Sequence, residues 1–364
     1  MKVVIIGAGV AGLGIGWRLR QAGAEVTILE RAQPALGATW ASAGMIAVAG
    51  ENADGDDAEA VFAREASALW PDFAKDVEAV SGLEIDYRRN GALLIPSDRN
   101  AADALATRPG VGFLTSSETR AMEPMLSPDI AGAGWAPDEA QVDNRLLGQA
   151  LVQAYLRAGG ALSVNEPAVR FEVREDEAVA LHTPFHRYEA DAFILAAGVW
   201  SAGLGGLPPE VLPPVRPVKG EIIAVGPPPG ARLPVRVIRG NGIYLVPRRD
   251  RLLIGATVAE VGFDTSVTED GAKWLSDRAI ALMPDLARWE VIERWAGLRP
   301  GSPDGFPILG PSALRRLFVA TGQYRNGILF APSVAENMSR LVLGHAAGIS
   351  AFDPRRFQEG QRQA

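Results

Sequence analysis

KVVIIGAGVAGLGIGWRLRQAGAEVTILE, residues 2–30, is the stretch from which the rest of this chain can be read. Val3 to Ile6 are β-branched, as expected of a strand buried on both faces in a parallel sheet. Gly7, Gly9 and Gly12 follow at once, and the residues after them read as a helix that Gly23 closes. A second strand ends at Glu30. In such a strand–turn–helix–strand unit the first glycine makes the tight turn. The second lets backbone approach a pyrophosphate, and the third lets the helix pack on the strand. The N-terminus of that helix turns N–H groups and a positive dipole end towards phosphates. An acid at the end of the second strand, roughly 20 residues beyond the glycines, accepts from ribose hydroxyls. Its charge favours NAD or FAD over NADP. The pattern predicts a Rossmann-like dinucleotide-binding unit, with Gly14 and Gly16 read as close helix–sheet packing. The apolar run also imitates a signal peptide, but the glycine spacing accounts for it better.

Composition narrows the partners. The chain has 364 residues, enough for two domains or one large one, with 48% hydrophobic and 22% charged residues. Lys and Arg number 36 against 43 Asp and Glu, a net charge of -7 with no dense run of either sign. That argues against a nucleic-acid partner. No cysteine is present, which excludes disulfides, thiolate metal sites and a cysteine-linked cofactor, and fits a reducing cytoplasm. No run reaches the ~20 apolar residues of a membrane span. No metal site is expected. His182 and His186 have metal-like spacing but fall in a predicted hairpin with no carboxylate partner foreseen. The acidic run ENADGDDAE, residues 51–59, reads as a solvated loop leading into a helix, because Gly55 is misplaced for a calcium loop.

The flavin dinucleotide is favoured by what lies downstream. RAQPALGATWASAGMIA, residues 31–47, is small, glycine-spaced and half apolar, more like a loop lying against a long ligand than the helix of an NAD domain. DAFILAAGVWS, residues 191–201, reads as a further strand running into Ala197 and Gly198; an ordinary strand exit explains it equally well. In the tail, Leu317 to Ala320 read as a strand. A glycine turn follows, then a helix from about Gly327 whose positive end would face the flavin. WAGLRPGSPDGFPILG, residues 295–310, holds one arginine, Arg299, in what Pro300 and Gly301 mark as a bent, stiff loop. A guanidinium there needs an anion, either a ligand or Asp304.

Taken together, GAGVAG, LER, GATWASAGM, AAGVWS, PVKGE, YLVPRRDRLLIGAT, RWAGLRPGSPDGFPILG and GQYRNGILFAP resemble the glycine oxidase branch of the FAD-dependent D-amino-acid oxidase and sarcosine oxidase family, over nearly the whole chain. The resemblance implies an α/β protein with a discontinuous Rossmann-like FAD-binding domain, drawn at residues 1–50, 142–205 and 296–364. A substrate domain with a large, mostly antiparallel sheet would comprise residues 51–141 and 206–295. It implies non-covalent FAD held by Gly7, Gly9, Val10, Ala11, Gly12, Glu30, Arg31, Ala38, Thr39, Ala43, Gly44, Met45, a backbone site near Val169, Ala197, Gly198, and the run Gln323, Tyr324, Arg325, Asn326, Gly327, Ile328 and Leu329.

Tyr244, Arg299 and Arg325 match the family's substrate-binding residues. Arg299 would clamp a carboxylate, Tyr244 would add a hydrogen bond and a wall, and positioning would carry the catalysis without a protein base. The implied activity is oxidation of glycine, sarcosine or a small D-amino acid, with O2 reduced to hydrogen peroxide; in relatives this feeds the thiazole half of thiamine. Trp40, Val258 and Gln323 depart from the family's usual residues, as does GNGIY before Tyr244, which lacks a histidine some relatives carry. These leave the preferred side chain open. Two rivals stay open as well: a D-amino-acid dehydrogenase passing electrons to a quinone, and a non-catalytic FAD-holding subunit. A homo-oligomer is compatible with the sequence.

Overall fold

The strand Lys2–Ile6 lies at the centre of a six-stranded sheet in the computed structural model, which describes residues 1–51 and 55–357. Across the sheet the strands run Ile308–Pro311, Leu317–Thr321, Ala192–Leu195, Lys2–Ile6, Glu25–Leu29 and Ala161–Ser163. All neighbours are parallel except the first pair. Val3, Val4 and Ile5 are fully buried, because helices or loops cover both faces. The glycine helix spans Val10–Gln21. A Cβ on Gly12 would lie 2.0 Å from the Gly7 carbonyl oxygen, so only glycine lets this helix sit so close to the turn. The strand expected over 191–201 is four residues long and passes into a 3-10 turn, Gly198–Gly203. The final helix starts at Ala331, with Pro332 in its first turn, rather than at Gly327; residues 327–330 form the turn before it.

The second sheet has eight strands, in the order Glu290–Gly301, Arg216–Gly226, Leu252–Gly255, Ile243–Pro247, Val237–Gly240, Ala92–Leu94, Gly132–Ala136 and Gly112–Thr115. One pairing, Val237–Gly240 with Ala92–Leu94, is parallel and the rest are antiparallel. Ile243–Pro247 and Leu252–Gly255, within YLVPRRDRLLIGAT and its flank, form an antiparallel hairpin around RRD. The bent loop expected at Arg299 is not. Arg299 and Pro300 continue a twelve-residue strand, with Val218 opposite Arg299. That strand lies at the edge of the sheet, where a residue lacking N–H leaves no ladder bond broken.

Packing crosses the expected domain limits. The helix Ala58–Ser81, placed with the substrate sheet in the sequence reading, buries Phe62, Ala63, Trp70 and Phe73 in one cluster with Trp17 and Phe330 of the dinucleotide layer. Its Trp70 Nε1 donates to Leu329 O at 2.9 Å. The apolar stripe of this helix fits helices, not the strand face. The edge strand Glu290–Gly301 likewise stays in the eight-stranded sheet beyond residue 296.

Tyr155, on the helix Asn144–Arg157, closes the dinucleotide layer. Its hydroxyl lies 2.8 Å from both Val26 O and Ala161 O, and burial pushes the phenol pKa upward. Replacing Tyr155 by Phe removes the donor shared by these two strands. The expected cost is about 1–2 kcal/mol, read as a lower Tm, with the far-UV spectrum unchanged.

Candidate active site

One cavity of about 1480 Å³ runs between the two sheets. That exceeds the ~300–1,000 Å³ of ordinary small-molecule sites and suits a dinucleotide plus a small substrate. At one end the glycine turn forms the floor. Gly7 has φ +103°, and a Cβ there would stand 2.5 Å from Ala196 O. Gly9 caps the helix with no side-chain partner, and Val10 N–H is bonded to Thr39 Oγ1 at 3.0 Å. Glu30 is fixed at the end of its strand by the N–H groups of Ala8 and Ala32, at 2.9 and 3.1 Å. Gln323 lines the cavity, and its Nε2 is buried without a protein partner. An orphaned donor and a glycine-cleared floor fit FAD.

The other end is built on two glycines in strands. Tyr244 lies across from Gly255 in the antiparallel register, and a Cβ on Gly255 would meet the Tyr244 ring at 2.5 Å. Gly220 does the same for Arg299, whose guanidinium an added Cβ would touch at 2.3 Å. Ring and guanidinium therefore lie flat on the sheet. Arg299 Nη1 donates to Lys219 O at 3.2 Å and Thr257 O at 3.3 Å, which orients the fork. Asp304, weighed as its partner, pairs instead with Arg356, at 2.7 and 3.2 Å. Burial in the wall raises the Tyr244 phenol pKa; Glu51 adds to the rise, and the nearby Arg299, Arg239 and Arg325 oppose it. These four charged side chains line the same cavity as Tyr244.

The sequence-predicted contacts line this cavity, apart from Gly12, Val169, Asn326 and Leu329. Gly12 serves packing. Val169 N–H donates to His182 O and its carbonyl accepts from Gly205 N–H, so Pro167 and Ala168 form the wall instead. Asn326 faces Glu59, with 3.1 Å between Nδ2 and Oε1, and Leu329 is buried in the helical core. Trp40 lines the cavity but is engaged on its far side. It meets Trp295 edge-on at 5.9 Å, and the Arg145 guanidinium stacks 3.7 Å over its ring. Val258 lines the cavity and is half exposed. The two histidines do have carboxylate neighbours, but separate ones: His182 faces Glu172 at 3.3 Å and His186 faces Glu166 at 2.9 Å.

Several lining groups escaped the sequence reading. Trp200 forms part of the cavity wall, with the expected contact Arg31 stacked 3.6 Å over its ring. Glu51, dismissed with the acidic run, faces the cavity; residues 52–54 of that run lie outside the described residues. Arg239 Nη2 donates to Glu51 at 2.6 Å. Gly220 and Gly255, glycines within PVKGE and YLVPRRDRLLIGAT, were the available signal that something flat approaches the backbone.

These features fit a dinucleotide-dependent oxidoreductase, and similarity to known proteins gives the family. Residues 2–341 match the family described as DAO, FAD dependent oxidoreductase, and the chain belongs to that family. It is 36% identical over 352 residues to a glycine oxidase of Geobacillus kaustophilus, covering 93% of this chain and 92% of that one. The crystal structure of glycine oxidase from the same organism superposes with a TM-score of 0.91 at 33% identity, covering 97% of this chain and 98% of that one. The chain is also 36% identical to the "Bifunctional protein ThiO/ThiG" of Synechocystis sp., over 98% of its own length. It spans about half of that protein, 54%. FAD is therefore the cofactor, and the α/β fold expected from the resemblance is the one observed. No helix among the described residues is long and apolar enough to cross a membrane.

Beneath the segment that carries Glu51, the buried Glu139 accepts the Gly50 N–H at 3.1 Å, and burial pushes its carboxyl from 4.5 up to about 7. Between those values the folded chain holds a proton that the unfolded chain releases. Stability from this group therefore falls as pH rises through that window, by at most ~3 kcal/mol. Glu139→Gln removes the dependence. The Tm of the variant relative to wild type should climb between about pH 5 and pH 7.5 and level off above it.

Proposed function

We propose that this chain oxidises glycine, sarcosine or a small D-amino acid to the 2-oxo acid, releasing the amine. The observation that carries this reading is the pair Tyr244 and Arg299, laid flat on two strand glycines at one end of a cavity whose other end fits FAD. Similarity to glycine oxidases over nearly the full length supports it. The six-stranded sheet is read as the core of the FAD domain and the eight-stranded sheet as the core of the substrate domain.

Bound FAD supplies the two-electron oxidation of the carbon–nitrogen bond; the chain supplies position. Arg299 binds the substrate carboxylate with the part of its fork left free by Lys219 O and Thr257 O. Tyr244 donates to the same carboxylate and walls the pocket, and Arg325, 42% exposed, closes over the opening. The FAD-facing residues are those of the glycine turn, Glu30, the segment Ala38 to Met45, and Gln323 with its neighbours. Ile222 and Trp40 keep the pocket apolar. The imine is hydrolysed by water, and O2 takes the two electrons to give hydrogen peroxide. A cytoplasmic location and a place in making the thiazole half of thiamine accord with the absence of cysteine and with the ThiO/ThiG likeness.

Glycine added to the holoenzyme without oxygen should discharge its yellow colour, and admitting air should restore the colour with one peroxide per turnover. Recovery only on adding a quinone would transfer the protein to the dehydrogenase class, and no discharge by any amine would end the proposal.

Arg299→Lys keeps the charge but loses the planar fork. It should lower kcat/KM for glycine by about 30- to 1000-fold, with FAD content unchanged. Asp304→Asn, which takes the charge from the Arg356 pair, should leave kcat/KM near wild type; steady-state kinetics on both variants makes the comparison.

A further inference from the structure

We infer that Glu51 is the residue that recognises the substrate's amine, an assignment that rests on the amino-acid reading above. Three guanidinium groups, of Arg299, Arg239 and Arg325, converge on the Tyr244 end of the cavity. A pocket holding only those charges would take any small carboxylate, including the 2-oxo acid that the reaction releases. An α-amino acid differs from its product by one cationic or proton-donating nitrogen, so discrimination requires an acceptor. Among the described residues lining the cavity only Glu30 and Glu51 are acidic. Glu30 is committed at the opposite end to the N–H groups of Ala8 and Ala32.

The position of Glu51 is built, not incidental. Three groups pin its segment from below. Arg108 Nη1 donates to Ala49 O at 2.7 Å, Glu139 accepts from Gly50 N–H, and Arg239 Nη2 donates to Glu51 Oε1. Arg239 lies directly opposite Tyr244 in the strand register, so the carboxylate it holds is presented on the face that carries the phenol ring. The Glu51 and Arg239 side chains are 15% and 18% exposed, which leaves the pair little solvent screening. Oε1 takes the Arg239 bond. Oε2 stands 4.0 Å from Arg325 Nη1, too far for a hydrogen bond, and keeps acceptor capacity for an amine N–H. The clamp on the carboxylate and the acceptor for the amine then flank Tyr244, and the two together read a zwitterion.

The test compares two ligands that share a carboxylate and differ in the amine, on holoenzyme. Glycine is titrated anaerobically through the loss of flavin colour, and acetate through its perturbation of the flavin spectrum. Glu51→Gln should raise the half-saturating glycine concentration about 10- to 100-fold. Acetate should bind as well as before or more tightly, since a repelling charge is gone. Glu51→Asp, which keeps the charge one methylene back, should lie between wild type and Glu51→Gln for glycine, and it guards against a folding defect in the Gln variant. Equal weakening of both ligands would make Glu51 a brace for Arg239 and overturn the assignment, as would unchanged glycine affinity. If wild-type protein responds to no amine at all, the amino-acid reading falls first; if wild type responds and Glu51→Gln matches it, only the role of Glu51 falls.

Discussion

A single buried guanidinium joins the two halves of this molecule. Arg248 sits at the end of the hairpin strand Ile243–Pro247 and is 4% exposed. It donates to the carbonyls of Ala43 and Val142 and to Gln141 Oε1, with Asp143 3.7 Å away. Burial drags its pKa down to about 10, which still leaves it charged. A charge so placed is tolerated only because oxygens surround it; breaking such an arrangement from one side costs about 3–5 kcal/mol. Gly44 must lack a side chain there, since a Cβ would lie 2.8 Å from the guanidinium and 2.0 Å from Val142 O. The segment Ala43–Met45, which lines the cavity, is thereby held at one distance from the eight-stranded sheet. Trp295 Nε1, bonded to Ala41 O at 2.9 Å, makes a second tie beside it.

Given that spacing, the chemistry of the pocket follows from what the sheet face can hold. Glycines at 220 and 255 remove the side chains that would lift Arg299 and Tyr244 off the strands. Strand glycine costs entropy and packing, so two of them beneath the two functional side chains record a cost accepted for a flat, rigid surface. The charges around Tyr244 are then held by backbone and buried partners, which keeps the cations from clustering without compensation. Little reorganisation is left for substrate binding to drive.

The dinucleotide half was legible because each of its constraints is local. Gly7 and Gly9 mark a turn with its ligand, Val3 to Ile6 a strand buried on both faces, and Glu30 the end of the next strand. Arg299 shows the opposite case. Pro300 and Gly301 announced a loop, yet the residue lies in an edge strand, and edge position is a property of the sheet and not of the neighbours in sequence. The helix Ala58–Ser81 packs against Trp17 and Phe330 of the dinucleotide layer although residues 51–141 were drawn with the substrate domain, because position along the chain does not say which layer will bury a helix face. Glu51 looked like one more acid in a solvated run, because Arg239, which holds it, is 188 positions away along the chain.

The amino-acid sequence alone thus determined the dinucleotide turn and marked one arginine in need of an anion, since these depend on dihedral preference, side-chain period and functional groups a few positions apart; the two-domain fold class was read from the resemblance. Only the tertiary structure decided which acid faces the cavity, which guanidinium is free for a ligand, and that Ala168 and not Val169 lines the wall. Those outcomes turn on long-range pairing and burial: Val169, one residue beyond the lining Ala168, is tied by its backbone to His182 and Gly205 and exposes its side chain outside the cavity.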